Sequence, residues 1–325
     1  MGHGLGLCGC KAIRVRDLDW AKVPAAALIF LNNLYFSKFM YPLAHMYMLN
    51  KLVNKGLGRH LDKRDAEQAM GVWLLDAIVT QPLRAKDSSL QGMFHSLDFD
   101  FADPLQVGMR IHVYCDNLAN FNTLTHEPDK KGEGFLSKRE DKLYIPGENS
   151  YAISDDFRRR ILQCGIDMLV VKEEKDKLKK YFNFATDWAK KKDSRERIYD
   201  TFVSLLDKPL AEKPKDYKDS LYETLKDACE DGLMSALIKY SDGIDYMMTD
   251  WRRAKVARDR AKAFKTKDGK EPEHNYCDVV SILDLIQSNF SALDNWQKDV
   301  DEAVCLIIKD SLENPEKSIL QSFSR

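Results

Sequence analysis

The sequence predicts a mainly α-helical protein: irregular helical domains, a long extended arm, and at most a short β-hairpin around residues 95–116. Three observations predict it. From Ser154 onward, apolar residues recur at helical spacing almost without a break. Residues 23–53 form an apolar run with only Lys38 and Lys51 as formal charges. Alternation of period two is confined to two short pieces within 95–116. The organisation that follows is an amino-terminal apolar helical segment (1–86), an extended or irregular arm (87–153) and a helical domain (154–325).

The apolar run suits an interface or a packed groove better than a complete membrane span. A spanning helix needs about 20 apolar residues. Here Asn32, Asn33, Ser37 and Lys38 interrupt the run, and Pro42 removes a backbone donor. A lysine at the bilayer centre costs about 3 kcal/mol. Leu28, Leu31 and Tyr35 share a helical face, and Phe39, Tyr41 and Met46 continue the apolar surface. These six are the expected contacts with lipid or a partner. Ahead of them, Gly2, Cys8 and Cys10 are candidate acylation sites, set before Lys11, Arg14 and Arg16. The first 16 residues carry those bases and no acid, a pattern that resembles an organelle-targeting segment.

Further along, Asp62 is placed to cap a second helix. Ala66, Ala69, Met70, Trp73, Leu74 and Ala77 fall on one of its faces, and Gln81-Pro82 ends it. Within the arm, Leu97, Phe99 and Phe101 alternate with Asp98 and Asp100. Ile111, Val113 and Cys115 alternate with His112, Tyr114 and Asp116. Both pieces read as strands or extended arms. Residues 125–150 read as a loop, dense in Gly, Pro and charge.

In the carboxy-terminal part, Ser154 with Asp155 and Asp156 caps a helix that runs through Ile161, Leu162 and Met168. An aromatic stripe follows at Tyr181, Phe184 and Trp188, then a helix with Ile198, Phe202, Leu205 and Leu206. Lys208-Pro209 and Lys213-Pro214 mark a linker. Tyr217, Leu221, Leu225, Cys229, Leu233, Leu237 and Tyr240 keep helical spacing. Residues 251–265 are strongly basic. Two final helices, about 277–290 and 293–311, precede Pro315.

The charge balance is close to even, with 50 Lys and Arg against 51 Asp and Glu. That argues against nucleic acid as a partner, which would demand a surplus of bases. Seven scattered cysteines do not form a disulfide pattern and favour a reducing compartment.

Candidate chemistry is sparse. Asp98, Asp100 and Asp103 could meet a cation, and so could Asp242, Asp245 and Asp250; a water-facing strand face and helix capping explain them better. His95, His112, His126 and His274 read as packed or surface histidines, with no i, i+4 histidine pair. There is no glycine-rich phosphate cradle and no nucleophile elbow. Arg252 and Arg253 head a basic helix suited to anionic lipid headgroups or an acidic partner.

Within residues 121–149, Glu127, Asp129, Leu136, Ser137, Arg139, Asp141, Gly147 and Asn149 stand in an order that resembles the acid motif of haem-thiolate, chloroperoxidase-like proteins. The resemblance implies a helical enzyme acting on an apolar small molecule. The Pro-Cys-Pro haem-ligand motif is missing, with Pro24-Ala25-Ala26 in its place, so thiolate ligation of haem fails. No cofactor and no metal is therefore expected.

The leading expectation is a non-catalytic structural or interaction subunit of a membrane-associated assembly. Its partners would be other protein subunits, with anionic lipid as a further contact. Its place would be a membrane in a reducing compartment, such as an organelle inner membrane, with the cytoplasm as the alternative. A lipid-anchored adaptor and the helical enzyme are the alternative functions. For the enzyme, His126, Glu127 and Asp98 would have to converge on one cavity.

Overall fold

The computed structural model describes residues 42–75, 90–94, 96–127, 132–145, 155–232 and 285–323, and all of them lie in one compact unit, Lys38–Arg325. These residues are mainly helical, and none of them is in a strand. The helices are α1 (Pro42–Leu57), α2 (Ala66–Leu74), α3 (Leu90–Phe94), α4 (Pro104–Phe121), α5 (Asp155–Ala189), α6 (Lys192–Asp207), α7 (Lys215–Asp227) and α8 (Trp296–Glu313). Short 3-10 turns cover Lys63–Asp65, Ser137–Lys142, Phe290–Leu293, Pro315–Lys317 and Ile319–Phe323. Helices from all three segments of the sequence share one apolar core.

Helix α1 is the described part of the apolar run. Leu43, Ala44, Met46, Tyr47, Met48, Leu49, Leu52 and Val53 are all buried, against α2, α4, α5 and α8. Each larger side chain contributes about 1.5–3 kcal/mol by leaving water. Met46, expected at a lipid or partner surface, is fully buried inside the chain's own fold. The reason is coverage from several sides: α1 is apolar around most of its circumference and is the helix the others wrap. Asp167 of α5, itself buried, accepts a hydrogen bond from the Ala44 backbone N–H at 3.0 Å. A carboxylate is thereby placed at the amino end of α1, where the helix dipole favours it.

Asp62 caps as expected, in a capping box: its side chain accepts from the Arg64 N–H at 2.8 Å, and the Asp62 N–H donates to Asp65 at 2.9 Å. The Arg64 hydrogen bond holds the Asp62 carboxyl down, at about 2, against the opposing effect of burial. The folded value lies below the unfolded one of about 3.9. Its stabilisation is therefore present above pH 4 and lost as pH falls toward 2. Asp62→Ala should cost about 1 kcal/mol at neutral pH. The cost should be much smaller at pH 2, where the Asp62 carboxyl is about half protonated, in urea titrations run at both pH values. Next to it, Asp65 takes two hydrogen bonds from Arg59, at 2.6 and 2.7 Å, and Arg59 also donates to the Phe323 carbonyl at 3.0 Å. Gln68 donates to the Ser322 carbonyl at 3.1 Å. The last 3-10 turn is thus tied across α1 and α2.

The alternating segment around 110–117 is not a strand. Asp103 accepts from the Leu105 and Gln106 N–H groups, Pro104 occupies the first turn, and α4 runs on to Phe121. Local alternation was outweighed by that cap and by burial on all sides. Ile111, His112, Val113, Tyr114 and Cys115 are every one buried, so a period of two carries no information there. Upstream, the Leu97, Phe99 and Phe101 alternation is real but has no partner strand among the described residues. The rings of Phe99 and Phe101 each lie 5.2 Å from the Arg110 guanidinium.

Helices α2 and α4 cross in close contact. A Cβ added at Gly71 would stand 2.1 Å from the Leu105 carbonyl oxygen, and one at Gly108 would stand 2.2 Å from the Gln68 carbonyl oxygen. Backbone therefore lies on backbone, and only glycine fits at either position.

Of the segment that carries the haem-thiolate resemblance, Asp129, Gly147 and Asn149 lie outside the described residues, and residues 134–136 cap the end of α4. The N–H groups of Gly134, Phe135 and Leu136 donate to the Asn120, Leu118 and Ala119 carbonyls at the end of α4. Arg139 is buried and donates to the Ala292 and Asp294 carbonyls at 2.9 and 3.0 Å, and it pairs with Asp299.

Beyond it, α5 bends at Glu174, whose φ of −133° leaves the helical region. In α6, Ile198, Phe202 and Leu206 are buried as expected. Helix α7 buries Leu221 and Leu225 and passes into a π turn at Ala228–Gly232. Among the described residues, Cys115, Cys229 and Cys305 are free thiols.

Candidate functional site

Two features of the described residues stand out from simple packing. The first is a buried polar cluster. His112 and Asp116 are four residues apart on α4 and so share a face. His45 reaches them from α1. Its Nε2 lies 3.2 Å from Asp116 Oδ1, and His112 Nε2 lies 3.5 Å from Asp116 Oδ2. The two imidazole rings are 4.2 Å apart, centroid to centroid, and tilted by 50°. Both histidines are buried at 1% and 2% exposure, whereas the Asp116 side chain keeps 23%, so the cluster opens toward solvent on the carboxylate side.

A third element orients it. His112 Nδ1 lies 2.9 Å from the Val72 carbonyl oxygen of α2. A carbonyl only accepts, so Nδ1 carries the hydrogen. That contact exists because Gly71 and Gly108 let α2 and α4 touch. Burial would raise the Asp116 carboxyl, but the charge and hydrogen bond of His112, then those of His45, outweigh it and hold the carboxyl well below the usual range. The neighbouring Cys115 thiol is pushed up by burial and by the Asp116 charge, which leaves it inert. Among the described residues, this is the one set of three His, Cys, Asp or Glu side chains close enough to share a metal ion.

The second feature is the outer face of α8. Trp296, Val300, Ala303, Val304 and Ile307 face the core. Cys305, Ile308 and Leu312 form a separate stripe at i, i+3, i+7 on a groove shared with Lys55, Lys309 and Glu313. Leu306 and Leu312 are 40% and 71% exposed.

The sequence had pointed elsewhere. Asp98 is fully exposed and reaches Arg110, near the middle of α4, at 3.5 Å. His126 is exposed and stacks edge-on against Phe121, at the helix's far end, and Glu127 accepts from Thr125. The described contacts do not bring these three together. Asp103 is a helix cap, and Asp100 accepts from the Ala102 N–H. Leu28, Leu31, Tyr35, Phe39, Tyr41, Arg252, Arg253, Gly2, Cys8 and Cys10 lie outside the described residues, as do His95, His274, Asp242, Asp245 and Asp250. His45 sits in an apolar run whose formal charges are Lys38 and Lys51, with no second ligand type at metal-binding spacing beside it. The His112–Asp116 spacing shows only once the segment is taken as helix. Those two signals together, a histidine inside an apolar helix and a second one four residues before an acid, were the legible trace.

No known family model, curated protein or solved structure matches this chain. Among the described residues, no helix is long and apolar enough to cross a membrane.

Proposed function

We propose that the chain is a non-catalytic structural or interaction subunit of a membrane-associated multiprotein assembly. The observation that carries it is the second apolar stripe of α8. A helix whose inner face already fills the core has Cys305 and Leu312 on its outer side, with Ile308 at the edge of the core and Leu306 exposed on the adjoining groove. Such a stripe matches an apolar helix of another subunit, docked in a groove with lysines on its rim. The membrane part of the reading is supported by composition: residues 23–41, just ahead of α1, hold Lys38 as their only formal charge. Anionic lipid is the further contact, at Arg252 and Arg253.

Native extraction in mild detergent, followed by gel filtration and mass spectrometry, tests this. The chain is expected to travel with other subunits. The Leu306→Glu, Leu312→Glu double variant should keep its fold and lose them, with affinity down at least about tenfold. A chain that runs as a monomer without detergent, or a double variant that keeps every partner, would refute the assembly role.

A further inference from the structure

We infer that His45, His112 and Asp116 hold a divalent first-row transition-metal ion between α1 and α4. The ion-binding role is independent of the assembly role, since the cluster is on the inner side of the fold and shares no residue with the α8 stripe.

The Nδ1 hydrogen of His112 is committed to the Val72 carbonyl, so Nε2 is the ring atom that faces the Asp116 carboxylate. The separation is 3.5 Å. That is the edge of a tetrahedron around an ion with bonds of 2.0–2.1 Å, about 3.4 Å. His45 Nε2 lies 3.2 Å from the other oxygen of the same carboxylate, and one ligand atom from each of the three residues lies within 4.8 Å of the other two.

The donor set selects the ion. Two imidazole nitrogens and one carboxylate oxygen suit zinc, ferrous iron, cobalt or nickel. Calcium takes six to eight oxygens and magnesium a near-octahedral oxygen shell. The backbone hydrogen bond on the far nitrogen of His112 is what a metal-binding histidine needs to hold its tautomer and ring orientation. The partly exposed Asp116 side gives the ion a way in and room for an exchangeable ligand.

The test uses the full chain, stripped with a chelator and titrated with Co2+. One equivalent should saturate visible d–d absorption and raise the thermal midpoint. Zn2+ should displace the Co2+, and Mg2+ in excess should not. His45→Gln and the isosteric Asp116→Asn should each weaken Co2+ binding at least about tenfold. His126→Gln, at an exposed histidine, should bind as the wild type does. If the folded wild-type chain takes up no stoichiometric Co2+, the inference fails, whatever the variants do. If wild type and both cluster variants bind equally, the ion sits elsewhere and the cluster is only a hydrogen-bonded pin between two helices.

Discussion

Gly108→Ala is expected to lower the unfolding free energy by about 3 kcal/mol, the upper part of the usual range for overpacking. The sign is what makes this informative. In an ordinary helix interior, Gly→Ala stabilises by about 1 kcal/mol, because alanine loses less backbone entropy. At Gly108 the new methyl would stand 2.2 Å from the Gln68 carbonyl oxygen and 2.8 Å from both Gly71 Cα and Val72 N. These are backbone atoms of α2 and cannot rotate away. The two helices must separate, and the loosened crossing propagates into a core that has few voids to absorb it. Gly165→Ala in α5 is the internal control. Its new methyl would meet only the end of the Leu293 side chain, at 2.6 Å, which can turn aside. That variant should stay within about 1 kcal/mol of wild type. Urea denaturation of both compares them directly. If Gly108→Ala proves as mild as Gly165→Ala, the α2–α4 contact is not as close as described. The same substitution should also weaken Co2+ binding, because it carries the Val72 carbonyl away from His112.

That coupling shows where sequence reasoning stops. Helical class was legible, because apolar spacing in α6, α7 and α8 follows 3.6 residues and the buried residues Ile198, Phe202, Leu206, Leu221 and Leu225 are those the spacing marks. Caps were legible where side-chain chemistry is local, as at Asp62. Helix α4 was not. Its apolar residues surround the helix, so periodicity is lost, and only the Asp103-Pro104 start marks it in the sequence. The glycine crossing was invisible for a different reason. Gly71 and Gly108, 37 positions apart, are ordinary glycines until their two helices are laid together.

The candidate site depended on both of those failures. Read as a strand, the segment puts His112 and Asp116 on one face by even spacing, but too far apart to act together. Read as a helix, they are neighbours. His45 then needs α1 to be an interior helix and not a lipid-facing one, which its composition alone does not decide. Acids distant in sequence then meet α1, Asp167 at the Ala44 backbone N–H and Asp116 at the His45 ring.

Arg139→Met should cost about 3–5 kcal/mol, the range for breaking a buried ion pair by removing one partner. Arg139 is 7% exposed, and among the described residues its guanidinium meets the Ala292 carbonyl, the Asp294 carbonyl and the Asp299 carboxylate. Methionine fills the volume of the stem but leaves the two carbonyls without this donor and the carboxylate without its cation. Arg139→Lys should recover little, since one ammonium cannot reproduce a planar fork aimed at three oxygens. Asp299→Asn should cost less than either, because its side chain is 25% exposed and an amide oxygen still accepts. Removing both charges, with Arg139→Met and Asp299→Leu together, should return part of the loss, which a double-mutant cycle in urea would measure. Arg139 also fixes the entry into α8, whose outer stripe is the proposed docking face. Arg139→Met should therefore weaken both stability and partner retention, whereas Leu312→Glu should weaken retention alone. If Arg139→Met stays within about 1 kcal/mol of wild type, the entry into α8 is held by its apolar contacts, and the charged network is incidental.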